Sequence, residues 1–218
     1  MKELFNFQEI TTVILDMDGT LLDLSFDNYF WLEFIPKQYA DKNKISITDA
    51  EQTLYELYQK HSGTLSWYCL DFWKENLKLD IKNLKNKIKN KIRIKDGVID
   101  FLKFLQNKNI QIILATNAHP QSLEIKMKQS KLAKYFNVIQ SSHNFKQPKE
   151  SLVFWQILQQ ENNFNNDKTV FIDDSEKILS IAKKFGIKHN IGINNPDESK
   201  PLIKFDNFPS TNNLTKLI

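Results

Sequence analysis

A chain of 218 residues has the length for one full-sized domain, or for a core domain carrying a small insertion. Apolar residues make up 41% and charged residues 26%, the balance of a folded soluble chain rather than a disordered one. The apolar runs are too short to span a bilayer, and the Met1–Asn6 start lacks the apolar stretch of a secretory signal. Cys69 is the single cysteine. No intrachain disulfide can form, a cysteine-based zinc site is excluded, and a reducing, cytoplasmic setting is expected.

The net charge of +4 is unevenly placed. Lys82, Lys85, Lys87, Lys89, Lys91, Arg93 and Lys95 lie in one stretch with no acid among them, and the rest of the chain has 23 basic against 26 acidic residues. Nucleic-acid binding would have to rest on that segment. No recognisable nucleic-acid motif accompanies it, and a helix with Leu84, Ile88 and Ile92 buried would leave its lysines in water.

Thr12–Leu15 is β-branched and apolar on both faces, which predicts a buried central strand of a parallel sheet. Asp16 and Asp18 follow it directly. Residues 24–95 then change character: Phe26, Tyr29, Phe30, Trp31 and Phe34, then Leu54, Leu57 and Tyr58, then Leu65, Tyr68 and Phe72 recur at helical spacing. Leu77, Ile81, Leu84, Ile88 and Ile92 continue the pattern. These residues predict an inserted domain of roughly four helices over 24–95, with the α/β core made of residues 1–23 and 96–218.

From Asp96-Gly97 onward helix and strand alternate. Helices are expected around Val98–Leu105, Leu123–Ala133, Leu152–Leu158 and Ile178–Phe185. Strands are expected at Ile110–Ala115, Val138–Ser141, Thr169–Ile172 and near Ile191 and Ile193. This is a doubly wound α/β sheet with helical crossovers. The polar tail from Asn194 offers Leu202, Phe205 and Leu214 for docking on the core.

Three strand ends carry polar residues: Asp16 and Asp18, Thr116 and Asn117, Asp173 and Asp174. In a parallel sheet such ends lie together, on the side where ligands bind. Carboxylates from two strands supply hard oxygen ligands suited to Mg2+ with phosphate oxygens. Gly19 allows a sharp turn beside them, and Lys149, after Pro148, offers a mobile cation.

The run Asp16-Met17-Asp18-Gly19-Thr20-Leu21-Leu22, then Thr116-Asn117, Lys149 and Phe171-Ile172-Asp173-Asp174-Ser175, resembles the four ordered motifs of the haloacid dehalogenase-like phosphohydrolases. The resemblance implies a Rossmannoid core with an inserted helical cap. It further implies that Asp16 attacks phosphorus to form an aspartyl-phosphate, and that Asp18 protonates the leaving oxygen and later activates water. Asp16, the backbone carbonyl of Asp18 and Asp174 would hold Mg2+, with Asp173 behind them or bound through water and Ser175 supporting the loop. Thr116, Asn117 and Lys149 would offset charge on the phosphoryl group, with Gly19 and Thr20 in the loop that holds it.

Further segments, including Phe26–Trp31, Trp67–Asp71, Thr116–Pro120, Pro148–Glu150 and Asn195–Asp197, are similar to bacterial purine 5′-nucleotidases acting on GMP and IMP. That likeness makes a purine nucleoside monophosphate the expected substrate. Phe26, Tyr29, Asn28 and His119 are the candidate base and substrate contacts, with Trp67 and Tyr68 further aromatic candidates. Phosphatases for sugar phosphates or phosphoglycolate, and phosphomutases, share the same core chemistry. The expected enzyme is a monomer or weak homodimer.

Two positions depart from the family pattern. Ile178 stands where many relatives have another acid, and Lys146 lies in the segment before Pro148 where glycine is usual, so Lys146 is a second candidate for the role of Lys149. His61, His119, His143 and His189 form no spaced metal motif, and Cys69 is assigned to packing.

Overall fold

The computed structural model describes residues 5–218; the Met1–Leu4 part of the N-terminal reading lies outside them. Six strands form one parallel sheet: β1 (Thr12–Leu15), β2 (Gln111–Thr116), β3 (Val138–Ser141), β4 (Thr169–Asp173), β5 (His189–Ile193) and β6 (Ser210–Thr211), in the spatial order β3-β2-β1-β4-β5-β6. Side chains alternate across a strand, and the sequence divides accordingly. Val13, Leu15, Ile112, Leu114, Val170 and Ile172 enter one apolar cluster, while Ile14, Ile113, Ala115 and Phe171 enter another on the opposite face. Both faces are covered, which explains the unbroken apolar strands. The two-residue β6 was not foreseen, because so short an edge strand leaves no pattern in a polar tail.

The segment between β1 and β2 opens with α1 (Ser25–Tyr29), which passes through a π-helical turn at Phe30–Phe34 into α2 (Ile35–Asn43). It continues with α3 (Ile47–His61), α4 (Leu65–Tyr68), α5 (Leu70–Leu77) and α6 (Ile81–Lys87), before α7 (Val98–Asn107) begins the core crossovers. The helical insertion has six α-helices instead of four. The apparent run from Leu77 to Ile92 breaks because Lys78 adopts a left-handed conformation (φ 53°). Phe30, Ile35, Leu54, Tyr58, Leu70, Trp73, Leu77, Ile81 and Leu84 make an apolar cluster of their own. Trp73 lies at its centre, with the rings of Trp31, Tyr58, Trp67 and Phe72 between 5.0 and 5.9 Å away.

The chain enters and leaves this helical cap side by side. Leu22 pairs antiparallel with Ile94, the Asp23 amide donates to Arg93 O (3.0 Å), and the Lys95 amide donates to Leu21 O (3.0 Å). The Asn195–Glu198 loop supports that crossing: Lys95 Nζ donates to Asn195 O, and the Glu198 amide to Asp23 Oδ2 (3.2 Å). The basic segment is therefore not a wholly solvated face. Lys85 and Lys95 are buried, each engaged by neighbours inside the protein.

The core continues with α8 (Pro120–Ser130), α9 (Ser142–Phe145), α10 (Leu152–Asn162) and α11 (Glu176–Phe185). In the tail Leu214 is buried and Phe205 packs on the core, but Leu202 stays exposed. No helix among the described residues is long and apolar enough to cross a membrane.

Candidate active site

The register Leu15↔Leu114 and Leu15↔Ile172 brings Asp16, Thr116 and Asp173 to one edge of the sheet. Asp16 leaves β1 with its amide still donating to Ile172 O (3.0 Å). The next turn is tight: Gly19 N–H donates to Leu22 O, and Leu21 and Leu22 both donate to Met17 O. Gly19 has φ +84°, and a Cβ there would lie 2.3 Å from Asp174 Oδ2. Only glycine lets the loop pass that carboxylate. Thr20 is buried beside it, its hydroxyl without a hydrogen-bond partner.

Lys149 is not the mobile cation its sequence setting suggested. It is 1% exposed, and its ammonium donates to Asp16 Oδ1, Asp173 Oδ2 (2.7 Å) and Ala115 O (3.1 Å). Burial disfavours its charge, but Asp16 and Asp173 outweigh that and hold it above the usual lysine range. Asp16 is pushed up to about 6 by burial, against the pull of Lys149 and with a further push from Asp173. Lys146 does not share the role: it is exposed, and its left-handed backbone (φ 53°) explains why glycine suits this stretch.

The two acids after β4 are not equivalent. Both oxygens of Asp173 are engaged, Oδ1 by the Ser175 amide (2.8 Å) and Oδ2 by Lys149. Asp174 has no salt-bridge partner among the described residues, and burial, followed by Asp173 and Asp16, raises it well above the carboxylate range. Asp16, Asp173 and Asp174 thus share the cation Lys149, and the oxygens it leaves open on Asp16 and Asp174 have the donor chemistry of a hard divalent ion.

Thr116 ends β2 buried, its hydroxyl accepting from the Ala118 amide (3.0 Å). Asn117 is fixed at both ends of its amide: Oδ1 accepts from the Lys149 backbone (2.9 Å), and Nδ2 donates to Glu150 Oε2 (2.9 Å). The other Glu150 oxygen accepts from the hydroxyl of Tyr68 in the cap (2.9 Å). His119 begins α8 and its Nε2 lies 3.5 Å from Asp71 of the cap. These two contacts tie the cap to the strand ends.

A buried chain of charges was missed by the sequence reading. Lys126, 2% exposed on α8, places its ammonium 2.7 Å from Asp18 Oδ1 and 2.6 Å from Asp27 Oδ2. Lys85 meets the other Asp27 oxygen at 2.7 Å and packs against the rings of Phe30 (4.4 Å) and Phe26 (5.1 Å). Asp18 is raised to about 6 by burial despite Lys126, whereas Lys126 and Lys85 overcome burial at Asp27 and hold it well below the carboxylate range. The available signal was weak: Lys126 falls four residues after Ser122, on the helix face that Ile125 also buries.

A cavity of about 360 Å³ lies between these groups and the cap. Asp16, Asp18, Thr116, Asn117, His119, Lys149, Asp173 and Asp174 line its core side; Trp31, Trp67, Tyr68 and Leu32 line the cap side. Phe26 and Tyr29 are not among the lining residues. Phe26 is buried in the main apolar cluster, and Tyr29 stacks on Phe34 beneath Lys91 Nζ (4.6 Å). Asn28 does line the cavity, although its amide is spent on Asp197 Oδ2 (2.7 Å).

The haloacid dehalogenase-like hydrolase pattern matches residues 13–191, most of the chain and all four strand ends. The chain belongs to this family. It is 38% identical over 97% of its length to the GMP/IMP nucleotidase YrfG of Escherichia coli, covering 96% of that protein. A crystal structure of a HAD phosphatase from Thermococcus onnurineus superposes with a TM-score of 0.81 at 18% identity, over 95% of this chain and 96% of that one. The HAD-hydrolase YfnB from Bacillus subtilis, a structure bound to magnesium, matches with a TM-score of 0.65 at 18% identity, over 95% and 96%. The parallel sheet with its inserted helical cap is the architecture of this family, and the chain is a phosphoric monoester hydrolase.

Proposed function

We propose that this hydrolase is a magnesium-dependent 5′-nucleotidase that cleaves purine nucleoside monophosphates, GMP and IMP foremost. The observation that carries the chemistry is the pairing of Asp16 with Lys149 at the end of β1, beneath a cavity wide enough for a nucleotide. Asp16 is the nucleophile: its free oxygen attacks phosphorus, the ester oxygen leaves, and an aspartyl-phosphate forms on the side chain. Asp18, at the cavity edge, gives the leaving oxygen its proton and then takes one from the attacking water. Lys149, the Thr116 hydroxyl and Asn117 stand where the transferring phosphoryl group needs compensation for its charge.

Asp16, Asp174 and the Asp18 carbonyl would hold Mg2+, and Asp173 positions Lys149 in place of binding the ion directly. When bound, the ion neutralises phosphate oxygens and draws the substrate into line. Because Asp174 has no salt-bridge partner among the described residues, Mg2+ is expected to stabilise the protein. At a hundred times its Kd the gain is about 2.7 kcal/mol, or a rise of about 5–11 °C in Tm for a chain of this size. Thermal unfolding with Mg2+ and with EDTA measures it, and Asp174→Asn should lose most of the shift. An unchanged shift in that variant would move the ligand role elsewhere.

The purine reading rests on the likeness to the E. coli nucleotidase and on the cap wall of Trp31, Trp67 and Tyr68. Stacking of a base on an aromatic ring contributes about 1–3 kcal/mol. Trp67→Ala is therefore expected to lower kcat/KM on GMP by roughly ten- to a hundredfold, with a much smaller change on p-nitrophenyl phosphate. Equal losses on both substrates would reject base stacking at this wall.

A further inference from the structure

Cys69, His119 and His143 come from three separate elements and meet at the cap–core boundary. Cys69 caps the N-terminus of α5 in the cap, His119 caps that of α8, and His143 lies in α9. One ligand atom of each, the thiol sulfur and an imidazole nitrogen from each ring, lies within 4.8 Å of the other two. The histidine rings meet edge to face with centroids 4.9 Å apart. Fifty residues separate Cys69 from His119, so no spacing motif announced the cluster. A count of one cysteine excludes a cysteine-rich zinc site but not this mixed one.

His143 Nε2 is buried without a hydrogen-bond partner among the described residues. A buried imidazole nitrogen left without a partner is free to serve as a metal ligand. Burial lowers the basicity of both rings, which favours the neutral, ligating form. The His119 ring has Gln121 N–H at Nδ1 (3.3 Å) and Asp71 at Nε2 (3.5 Å), both long contacts, one of which an incoming ion would replace.

A thiolate and two imidazoles form a borderline-soft donor set, unlike the all-carboxylate site beside it. None of the three is a carboxylate of the phosphoryl-transfer centre. We propose that Cys69, His119 and His143 form a second metal site, for an ion of the Zn2+ class, that fastens the cap to the core. Tetrahedral Zn2+ with bonds of about 2.0–2.3 Å needs its ligand atoms about 3.3–3.8 Å apart. The three side chains close by at most about 1–1.5 Å to bind it, leaving the fourth position to water or Asp71. The Cys69 thiol gives up its proton on binding.

Co2+ is the probe, added to the full chain in excess Mg2+ so that the carboxylate site is filled. Equimolar Co2+ is expected to give a thiolate-to-cobalt charge-transfer band with the intense visible bands of four-coordinate cobalt, both displaced by Zn2+. Cys69→Ser keeps an acceptor for the Phe72 amide and should abolish the charge-transfer band. His119→Gln and His143→Gln should each weaken binding by more than the roughly tenfold to hundredfold typical of losing an outer partner. As a second readout, Zn2+ should protect the Cys69 thiol of the folded wild type from alkylation, and should not protect it in His143→Gln. A wild type that keeps its fold but shows neither the band nor protection would overturn the site. So would a band indifferent to both histidine substitutions, which would mark simple thiol binding.

Discussion

Asp16→Asn is expected to abolish phosphate release, by about four orders of magnitude or more, the scale seen when a covalent nucleophile is removed. The amide is nearly isosteric and cannot form the acyl-phosphate, so the loss falls on kcat and not on folding. Lys149 keeps Asp173 and Ala115 O as partners, and burial no longer works against a charge at position 16. Steady-state phosphate release, with unfolding followed in parallel, separates the two effects. A variant that keeps a tenth of the wild-type rate would show that Asp16 is not the nucleophile.

Lys126→Met is expected to have the largest effect on stability. Lys126 is the cation shared by Asp18 and Asp27, and its loss leaves the Asp18 carboxylate without a cation beside Asp27, which keeps Lys85. Breaking a buried pair by removing one partner costs about 3–5 kcal/mol, equivalent to a fall of roughly 6–20 °C in Tm. Lys126→Arg should recover part of the loss by restoring charge, and adding Asp18→Asn to Lys126→Met should recover part by removing the stranded carboxylate.

The pH dependence follows from Asp27, whose pKa is depressed by Lys126 and Lys85 against the effect of burial. Its contribution to stability is complete above the unfolded value of 3.8 and is lost as pH falls through the lower folded value. The part of the Lys126→Met deficit carried by Asp27 should therefore hold from neutral pH down to about pH 4 and shrink only below it. A deficit within about 0.5 kcal/mol, as for an exposed residue, or one that does not shrink below about pH 4, would contradict the role assigned to this chain of charges.

The parallel core was legible because its strands carry two signals at once. Val13–Leu15, Ile112–Ala115 and Val170–Ile172 are apolar throughout, and each runs into polar residues at its carboxyl end. The topology then had little choice but to collect those ends. The cap was legible as helical but not in its divisions, since Lys78 is a lysine in a left-handed turn where glycine or asparagine would have announced a stop.

What the sequence hid is mostly long-range. Lys85, Lys126 and Lys149 look like surface lysines, and each is buried because carboxylates distant in the chain lie against it. Tyr68 and Glu150 are 82 residues apart and meet across the cap–core boundary. Helical periodicity placed Phe26 and Tyr29 near the catalytic loop in sequence, but rotation around α1 turned them into packing while Trp31, Trp67 and Tyr68 faced the cavity. Spacing fixes which residues share a helix face; it does not fix which neighbour that face meets.

The most direct test of the proposed function is Mg2+-dependent phosphate release from GMP, IMP, AMP, pyrimidine nucleotides and small sugar phosphates, with Asp16→Asn as the blank. The account predicts turnover that requires Asp16 and Mg2+, with GMP and IMP preferred over the other substrates. Release from sugar phosphates alone would contradict the purine assignment, and release that survives in Asp16→Asn would contradict the chemistry itself.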